Sequence, residues 1–251
     1  MLGSGVEGDI EMIVICIVLG IIIIAAVVGV IAGIADLVSY TENSHKPYGP
    51  YEKFIKRPLD AFLATVALLV FSPILLTVAV LVRAKLGSPV LFTQERIGRN
   101  EKTFKLYKFR SMTDEREESG KLLPDDMRLT EFGKKLRSTS LDELPELFSI
   151  VKGDMAIIGP RPLLPKYLPY FKQEERVRHE VRGGLTVPEV LKGKTRTTWD
   201  EQFQIESDYV KHITFMTDMK IIFATIKVVF KRVDSEFGGD VRKPLDEERM
   251  G

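Results

Sequence analysis

Apolar residues fall in two long blocks near the start of the chain, and the remainder alternates between short apolar runs and dense charge. Between Glu11 and Asp36 there is no charged residue, and the same holds between Asp60 and Arg83. The first block, Met12 to Ala35, has the length an apolar helix needs to cross a hydrocarbon core of about 30 Å. It is rich in Ile and Val and carries Gly20, Gly29 and Gly33, small residues that permit close helix packing. A cleaved signal peptide fits poorly, because acids precede the run and it is longer than a signal core. Lys46, Lys53, Lys56 and Arg57 follow it. The positive-inside rule therefore predicts an outward N-terminus and a cytoplasmic start for the rest of the chain.

The second block, Ala61 to Val82, has cations on both sides: Lys53, Lys56 and Arg57 before it, Arg83 and Lys85 after it. A straight span would strand one cluster on the wrong face. Ser72 and Pro73 stand in its middle, where proline removes a backbone donor and a neighbouring serine can satisfy a freed carbonyl. A helix–break–helix that enters and leaves by one face reconciles flanks and kink. A proline-kinked span that crosses the membrane is the competing reading.

From Leu86 onward the pattern is that of a compact domain. Pro89–Thr93 and Phe104–Phe109 have strand composition, with Gly98-Arg99-Asn100 as the turn between them. Arg116 to Asp126 is a polar loop or short surface helix. A helix is expected from near Ser140 to Val151, ended by Gly153-Asp154, and Ala156–Ile158 has the look of a short buried strand. Lys166 to Arg182 is expected to be helical. Met219 to Val233 places Ile222, Phe223, Ile226, Val229 and Phe230 on one face, which suits either a membrane interface or the domain core. Ser235 to Gly251 is expected to be a polar, mobile tail.

Composition narrows the chemistry. The 251 residues carry a formal net charge of +1, without the basic excess that nucleic-acid binding requires. The single cysteine, Cys16, lies in the first apolar block, and His45, His179 and His212 make no metal-ligand spacing. Chemistry here falls to carboxylates and cations.

The sharpest local feature is Arg137-Ser-Thr-Ser-Leu-Asp142-Glu143-Leu-Pro145. Ser140 and Glu143 have the spacing of a helix capping box, and acids in a first turn suit the helix dipole. The same two acids, Asp142 and Glu143, can also share the work of nucleophile and metal ligand. Phosphoryl transfer needs cations around such a carboxylate. Candidates are Lys108 and Arg110, Arg137, and Arg161, whose backbone is stiffened by Pro160 and Pro162. The residues by themselves point to an anion-handling membrane protein with a carboxylate centre.

Taken in order, the motifs carry a resemblance. They are Lys56-Arg57-Pro-Leu-Asp60, Ser72-Pro73, Phe92-Thr-Gln-Glu-Arg-Ile-Gly98, Lys108-Phe-Arg-Ser-Met112, Ser140-Leu-Asp-Glu-Leu-Pro145, Lys152-Gly-Asp-Met155 and Gly159-Pro-Arg-Pro162. From about Tyr51 to Val233 the chain resembles the small monotopic polyprenyl-phosphate phosphoglycosyl transferases, such as the Campylobacter enzyme that starts N-glycan assembly. The resemblance implies an α/β, mostly α, membrane-anchored domain with a re-entrant helix at 51–85, amphipathic interface helices and a small strand element. The catalytic part would be residues 86–234 on the cytoplasmic face of the bacterial inner membrane, preceded by an extra span within 1–50 and followed by a tail at 235–251.

The resemblance further implies that Asp142 is the nucleophile on a UDP-sugar, releasing UMP and passing the phosphosugar to polyprenyl phosphate. Mg2+ would lie by Asp142 and Glu143, and Lys108, Arg110, Arg137 and Arg161 would meet phosphate. Downstream glycosyltransferases are candidate partners. Two features depart from the family. Gly183-Gly-Leu-Thr-Val-Pro-Glu-Val190 replaces a Pro-Gly-Ile/Leu-Thr-Gly stretch that continues through Ala-Gln-Val, and the first apolar block is one the smallest members lack. The competing functions are a non-catalytic membrane scaffold or sugar-nucleotide sensor, and a metal-dependent membrane phosphatase.

Overall fold

A computed structural model describes residues 3–40, 45–192, 198–232 and 242–250. Helix α1 (Gly3–Tyr40) contains the first apolar block, and its stretch Ile13–Val38, with a mean hydropathy of 3.4, is long and apolar enough to cross a membrane. Most of its Ile and Val side chains stay exposed. One seam is different: Ala25 and Ala32 are buried, and a Cβ added to Gly29 would stand 2.9 Å from the Pro58 carbonyl oxygen. These small residues recur every three or four positions, so they share one helix face.

A short π-helix, Tyr51–Lys56, runs straight into α2 (Arg57–Val70), and α3 (Ser72–Leu86) follows after Phe71. The two arms meet at 63°. Pro73 falls in the first turn of α3, where a missing N–H breaks no helical bond. The Ser72 hydroxyl donates to the Leu69 carbonyl at 2.8 Å, satisfying one acceptor freed at the end of α2. The inner face of α2, with Ala61 and Ala64 fully buried, packs toward Leu147 and Ile150.

Strands β1 (Leu91–Ile97) and β2 (Thr103–Phe109) form an antiparallel hairpin with Leu91 opposite Phe109. The first strand starts later and runs further than its composition suggested. The turn is where it was expected, with Asn100 and Glu101 at φ of 56° and 61°. Beyond a loop come α4 (Asp125–Arg128) and α5 (Glu131–Ser138), the latter capped by Thr130, whose side chain accepts from the Gly133 N–H at 3.0 Å. A side chain at Gly133 would run into the Ser111 carbonyl oxygen. Glycine is therefore what lets α5 lie against the backbone that leaves β2.

The expected helix from Ser140 to Val151 is instead two pieces. Leu141–Glu143 is a single 3-10 turn, and α6 covers Glu146–Lys152 after Pro145. Strand β3 (Met155–Ile158) pairs in parallel with β4 (Gly183–Thr186), Met155 against Gly183. The segment from Lys166 to Arg182 is not one helix either. It is two 3-10 stretches, Pro165–Tyr170 and Gln173–His179, because Pro169 cannot donate and Phe171 leaves the helical path to enter the core. Two longer helices follow, α7 (Trp199–Lys211) and α8 (Phe215–Arg232). In α8 the packed edge is Asp218 and Ile221, both fully or almost fully buried, while Phe223, Ile226 and Val229 remain exposed.

The C-terminal residues do not all form a mobile tail. Residues 242–250 are docked, ending in α9 (Leu245–Met250); residues 235–241 and Gly251 lie outside the described residues. Leu245 is wholly buried with Trp199 and Phe203, and the Trp199 indole donates to the Lys243 carbonyl at 3.0 Å. Arg249 makes a two-pronged pair with Glu175, each prong 2.7 Å. Apolar matching at one residue and a forked ion pair at another overcome the polar composition. Replacing Leu245 by Ala should lower the unfolding free energy by about 2–5 kcal/mol, measured by denaturant titration. A change below about 0.5 kcal/mol would mean that α9 is not part of the cooperative fold.

Candidate active site

A cleft of about 640 Å3 opens between the hairpin, the loop after it, α5 and the 3-10 turn at 141–143. Strand periodicity delivers the first wall: Phe92, Gln94 and Arg96 share one face of β1, and Lys108 stands opposite Phe92 on β2. Arg110, Arg128, Arg137 and Arg161 complete a lining of six cations with Arg96 and Lys108. Asp142 and Glu143 lie in the same cleft. The structure thus brings together all six of the catalytic and substrate-binding candidates named from sequence: Lys108, Arg110, Arg137, Asp142, Glu143 and Arg161.

Their roles differ in detail from the expected ones. The capping box is not formed: Ser140 is left-handed, with φ of 55°, and its side chain caps nothing. Glu143 turns instead to the Lys108 ammonium at 2.7 Å, where Glu146 also accepts at 3.1 Å. The ammonium offers the Glu143 carboxylate a full opposite charge in place of the partial charge of a backbone N–H. Burial alone would push Lys108 down, but Glu146 and Glu143 together hold it above its usual value. Burial pushes the Asp142 carboxyl up to about 6, with the charge of Glu143 adding to the rise and Lys108 and Arg137 opposing it. Burial likewise raises Glu146 to about 7 against the pull of Lys108.

Arg137 is steered by a 2.9 Å bond from its Nε to the Ser111 hydroxyl, made possible by the close approach at Gly133. Arg110 is mostly committed to the fold, donating to the Ser88 carbonyl at 2.9 Å and to Asp114 at 2.8 Å. Arg161 is the most firmly held. Its backbone N–H donates to Glu206 at 2.7 Å, and its carbonyl accepts from Arg178 at 2.6 Å. Arg178 and Glu206 close the clamp with a 2.6 Å pair and are 2% and 0% exposed. Pro160 and Pro162 are buried on either side, leaving only the Arg161 side chain outside.

Sequence reasoning missed Arg96, Arg128, Glu146 and the Arg178–Glu206 clamp. Arg96 was legible as the period-two partner of Gln94, to which it donates at 2.6 Å. Glu146 follows Glu143 by three residues, a helical spacing that a continuous helix assignment obscured. The clamp was not legible, because its members are separated by 28 residues. The divergent loop lies behind this clamp rather than in the cleft lining: Glu189 is buried, and burial with the charge of Glu206 pushes its carboxyl well above the usual range.

Among the described residues no cluster of three or more His, Cys, Asp or Glu makes a metal cage. Magnesium does not need one, since it is commonly held by one or two carboxylates plus substrate phosphates. Asp142 and Glu143 in a cleft lined by six cations, with ample room for a substrate's phosphates, fit that mode. Burial is the main cause that raises Asp142 and Glu146 and the charge of Glu143 adds to it, and a divalent cation beside Asp142 and Glu143 would oppose both.

A helix long and apolar enough to cross a membrane, joined to a cleft lined by six cations and two carboxylates, is the combination expected of a membrane-associated protein that acts on anions. The chain belongs to the bacterial sugar transferase family, whose sequence model matches residues 51–232. It is 43% identical over 175 residues to the uncharacterised sugar transferase EpsL of Bacillus subtilis, covering 70% of this chain and 87% of the relative. It is 38% identical over 188 residues to an Aeromonas hydrophila UDP-N-acetylgalactosamine-undecaprenyl-phosphate N-acetylgalactosaminephosphotransferase, covering 72% of this chain and 44% of that protein. The undecaprenyl-phosphate galactose phosphotransferase of Salmonella typhimurium is 32% identical over 197 residues, covering 72% and 41%. The chain therefore spans less than half the length of these two relatives that are named for a reaction.

Two measurements probe the site. Glu206→Ala leaves the Arg178 guanidinium buried without its partner and should cost about 3–5 kcal/mol of stability; a loss under about 1 kcal/mol would remove the clamp from the account. The second concerns pH. Glu146 is raised in the folded state, so the stability it contributes is present below its ordinary 4.5 and is lost as pH rises through about 7. Glu146→Gln should flatten the stability–pH profile across that window by about 3 kcal/mol. An unchanged slope would place the titration elsewhere.

Proposed function

We propose that this protein transfers a sugar-1-phosphate from a UDP-sugar to a polyprenyl phosphate, undecaprenyl phosphate in a bacterial cell, as the first membrane step of a glycoconjugate. The observation that carries the reading is Asp142, a buried carboxylate raised only to about 6, beside Lys108 and Arg137 in a cleft lined by cations. At neutral pH it is mostly ionised, so it is available as a nucleophile. Two relatives whose names specify undecaprenyl phosphate as acceptor support the same reading.

In the first half-reaction an Asp142 oxygen bonds to the phosphorus that bears the sugar. The bond to the uridine-side phosphate breaks, and UMP leaves with its electron pair. In the second, a polyprenyl phosphate oxygen bonds to that phosphorus and the Asp142 carboxylate departs, giving polyprenyl-diphosphate-sugar. Lys108, Arg137 and Arg161 would bind the phosphoryl oxygens, and Arg96 and Arg128 extend the same wall. Magnesium, when bound by Asp142 and Glu143, would supply charge neutralisation of the diphosphate.

The 63° bend at Phe71 and the cations flanking both arms support a re-entrant anchor, with the cleft on the cytoplasmic face of the inner membrane. An interfacial site suits one water-soluble donor and one lipid acceptor. The test is UMP release by nanodisc-embedded protein with Mg2+, polyprenyl phosphate and a panel of UDP-sugars. One donor should yield UMP whose release beyond a single equivalent per site depends on lipid, Asp142→Ala should abolish it, and kcat/KM should fall about ten-fold per unit below pH 6. Free sugar phosphate formed without lipid would point to a phosphatase. Silence with every donor, in folded protein, would favour the scaffold or sensor reading.

A further inference from the structure

The N-terminal span is the feature that the proposed reaction does not use. Its small-residue seam does not end in another alanine or glycine. The next position on that face is Asp36, which is 3% exposed. A carboxylate buried at the end of an apolar helix is costly unless it is paired. Asp36 is paired twice, accepting from Arg99 at 3.0 Å and from Arg182. These two arginines come from separate parts of the domain, the hairpin turn and the residue before β4.

Arg182 also donates from Nε to the Gly153 carbonyl at 2.7 Å. Beside it, Arg57 donates to the Ile150 and Val151 carbonyls at 2.6 and 2.8 Å. The last carbonyls of a helix have no partners within it. Here two arginines supply those partners at the C-terminal end of α6, and a small cavity shared by Asp36, Arg57, Arg99 and Arg182 marks the junction. The other end of α6 starts at Glu146, next to the Asp142–Glu143 turn.

We propose that α1 is a positioning element of the catalytic domain as well as an anchor: Asp36 docks the span onto Arg99 and Arg182 and so holds α6, the helix that follows the carboxylate turn. The seam against Pro58 sets the depth of docking, and the ion pairs set its register. Loss of the Asp36 charge leaves two arginines competing for the same ground, and the end of α6 loses a fixed partner. The activity readout of this inference rests on the phosphosugar-transfer reading above; the exchange readout does not.

The experiment compares full-length wild type with Asp36→Ala, Asp36→Asn and Asp36→Glu in nanodiscs, with Ile24→Ala on the exposed face of α1 as control. Backbone hydrogen exchange is followed in residues 147–158. Turnover is expressed per competent site, counted by the single UMP burst released without lipid. Asp36→Ala should exchange faster there and lose at least about ten-fold in kcat per site, as small misplacements at a reacting centre do, with KM for the donor little changed. Asp36→Glu should restore most of both, and Ile24→Ala should match wild type. Should Asp36→Ala fail to accumulate, Asp36→Asn, equal in shape and without charge, carries the comparison. Exchange and kcat at wild-type levels in a folded, uncharged variant would overturn the proposal. If wild type releases no UMP with any donor, the reaction assignment fails while the exchange comparison still decides the role of Asp36.

Discussion

Helix α6 has seven residues, too few to persist on its own backbone bonds, and the site depends on the cations that hold its ends. At the N-terminal end Lys108 reaches across from β2 to Glu143 and Glu146. At the C-terminal end Arg57 and Arg182 take up the carbonyls of Ile150, Val151 and Gly153. Each cation comes from a different element, so the hairpin, the membrane helix and the second sheet are all tied to one short segment. Removing Lys108 or Arg182 would deprive a buried carboxylate, Glu146 or Asp36, of a partner, and removing Arg57 would leave two carbonyls of α6 without their donor, which is why these ties are costly to break.

The cleft is built for charge that the protein alone does not supply. Cations line its walls, while Asp142 in the lining and Glu146 beside Lys108 are raised because burial and the charge of Glu143 oppose their ionisation. A bound diphosphate would engage the walls, and a divalent cation would relieve the carboxylates. Such sites trade stability of the free protein for binding, and the Glu146 titration is where that trade is most exposed.

The bent apolar helices and the cleft meet in one packed junction. The bend between α2 and α3 presents apolar arms on one side, while the buried face of α2 packs on α6. Arg57, the first residue of α2, is 6% exposed and bonds to α6. The anchor and the active-site helix thus share an interface, so tilting one displaces the other. The clamp of Arg178 and Glu206 on Arg161 is a second, independent support, built from two charged residues that are almost wholly buried.

Local pattern determined a good deal. The two apolar blocks, the break at Ser72-Pro73, the hairpin with its turn at Asn100 and the short strand at Ala156–Ile158 could all be read along the chain, because each depends on neighbours a few residues away; Asp142, Lys108 and Arg161 were candidates by residue type, and the fold brings them into one cleft. Elements set by distant partners could not. Ser140 and Glu143 have capping-box spacing, yet Glu143 pairs with Lys108, 35 residues earlier. The stretch Lys166–Arg182 has helical composition, yet the core claims Phe171 and divides it. Residues 242–250 are mostly polar, yet Leu245 and Arg249 find partners across the fold. Propensity and charge spacing determined what each residue could do, and only the tertiary structure decided which charge it would face, because buried ion pairs act across space and leave no periodicity in the chain.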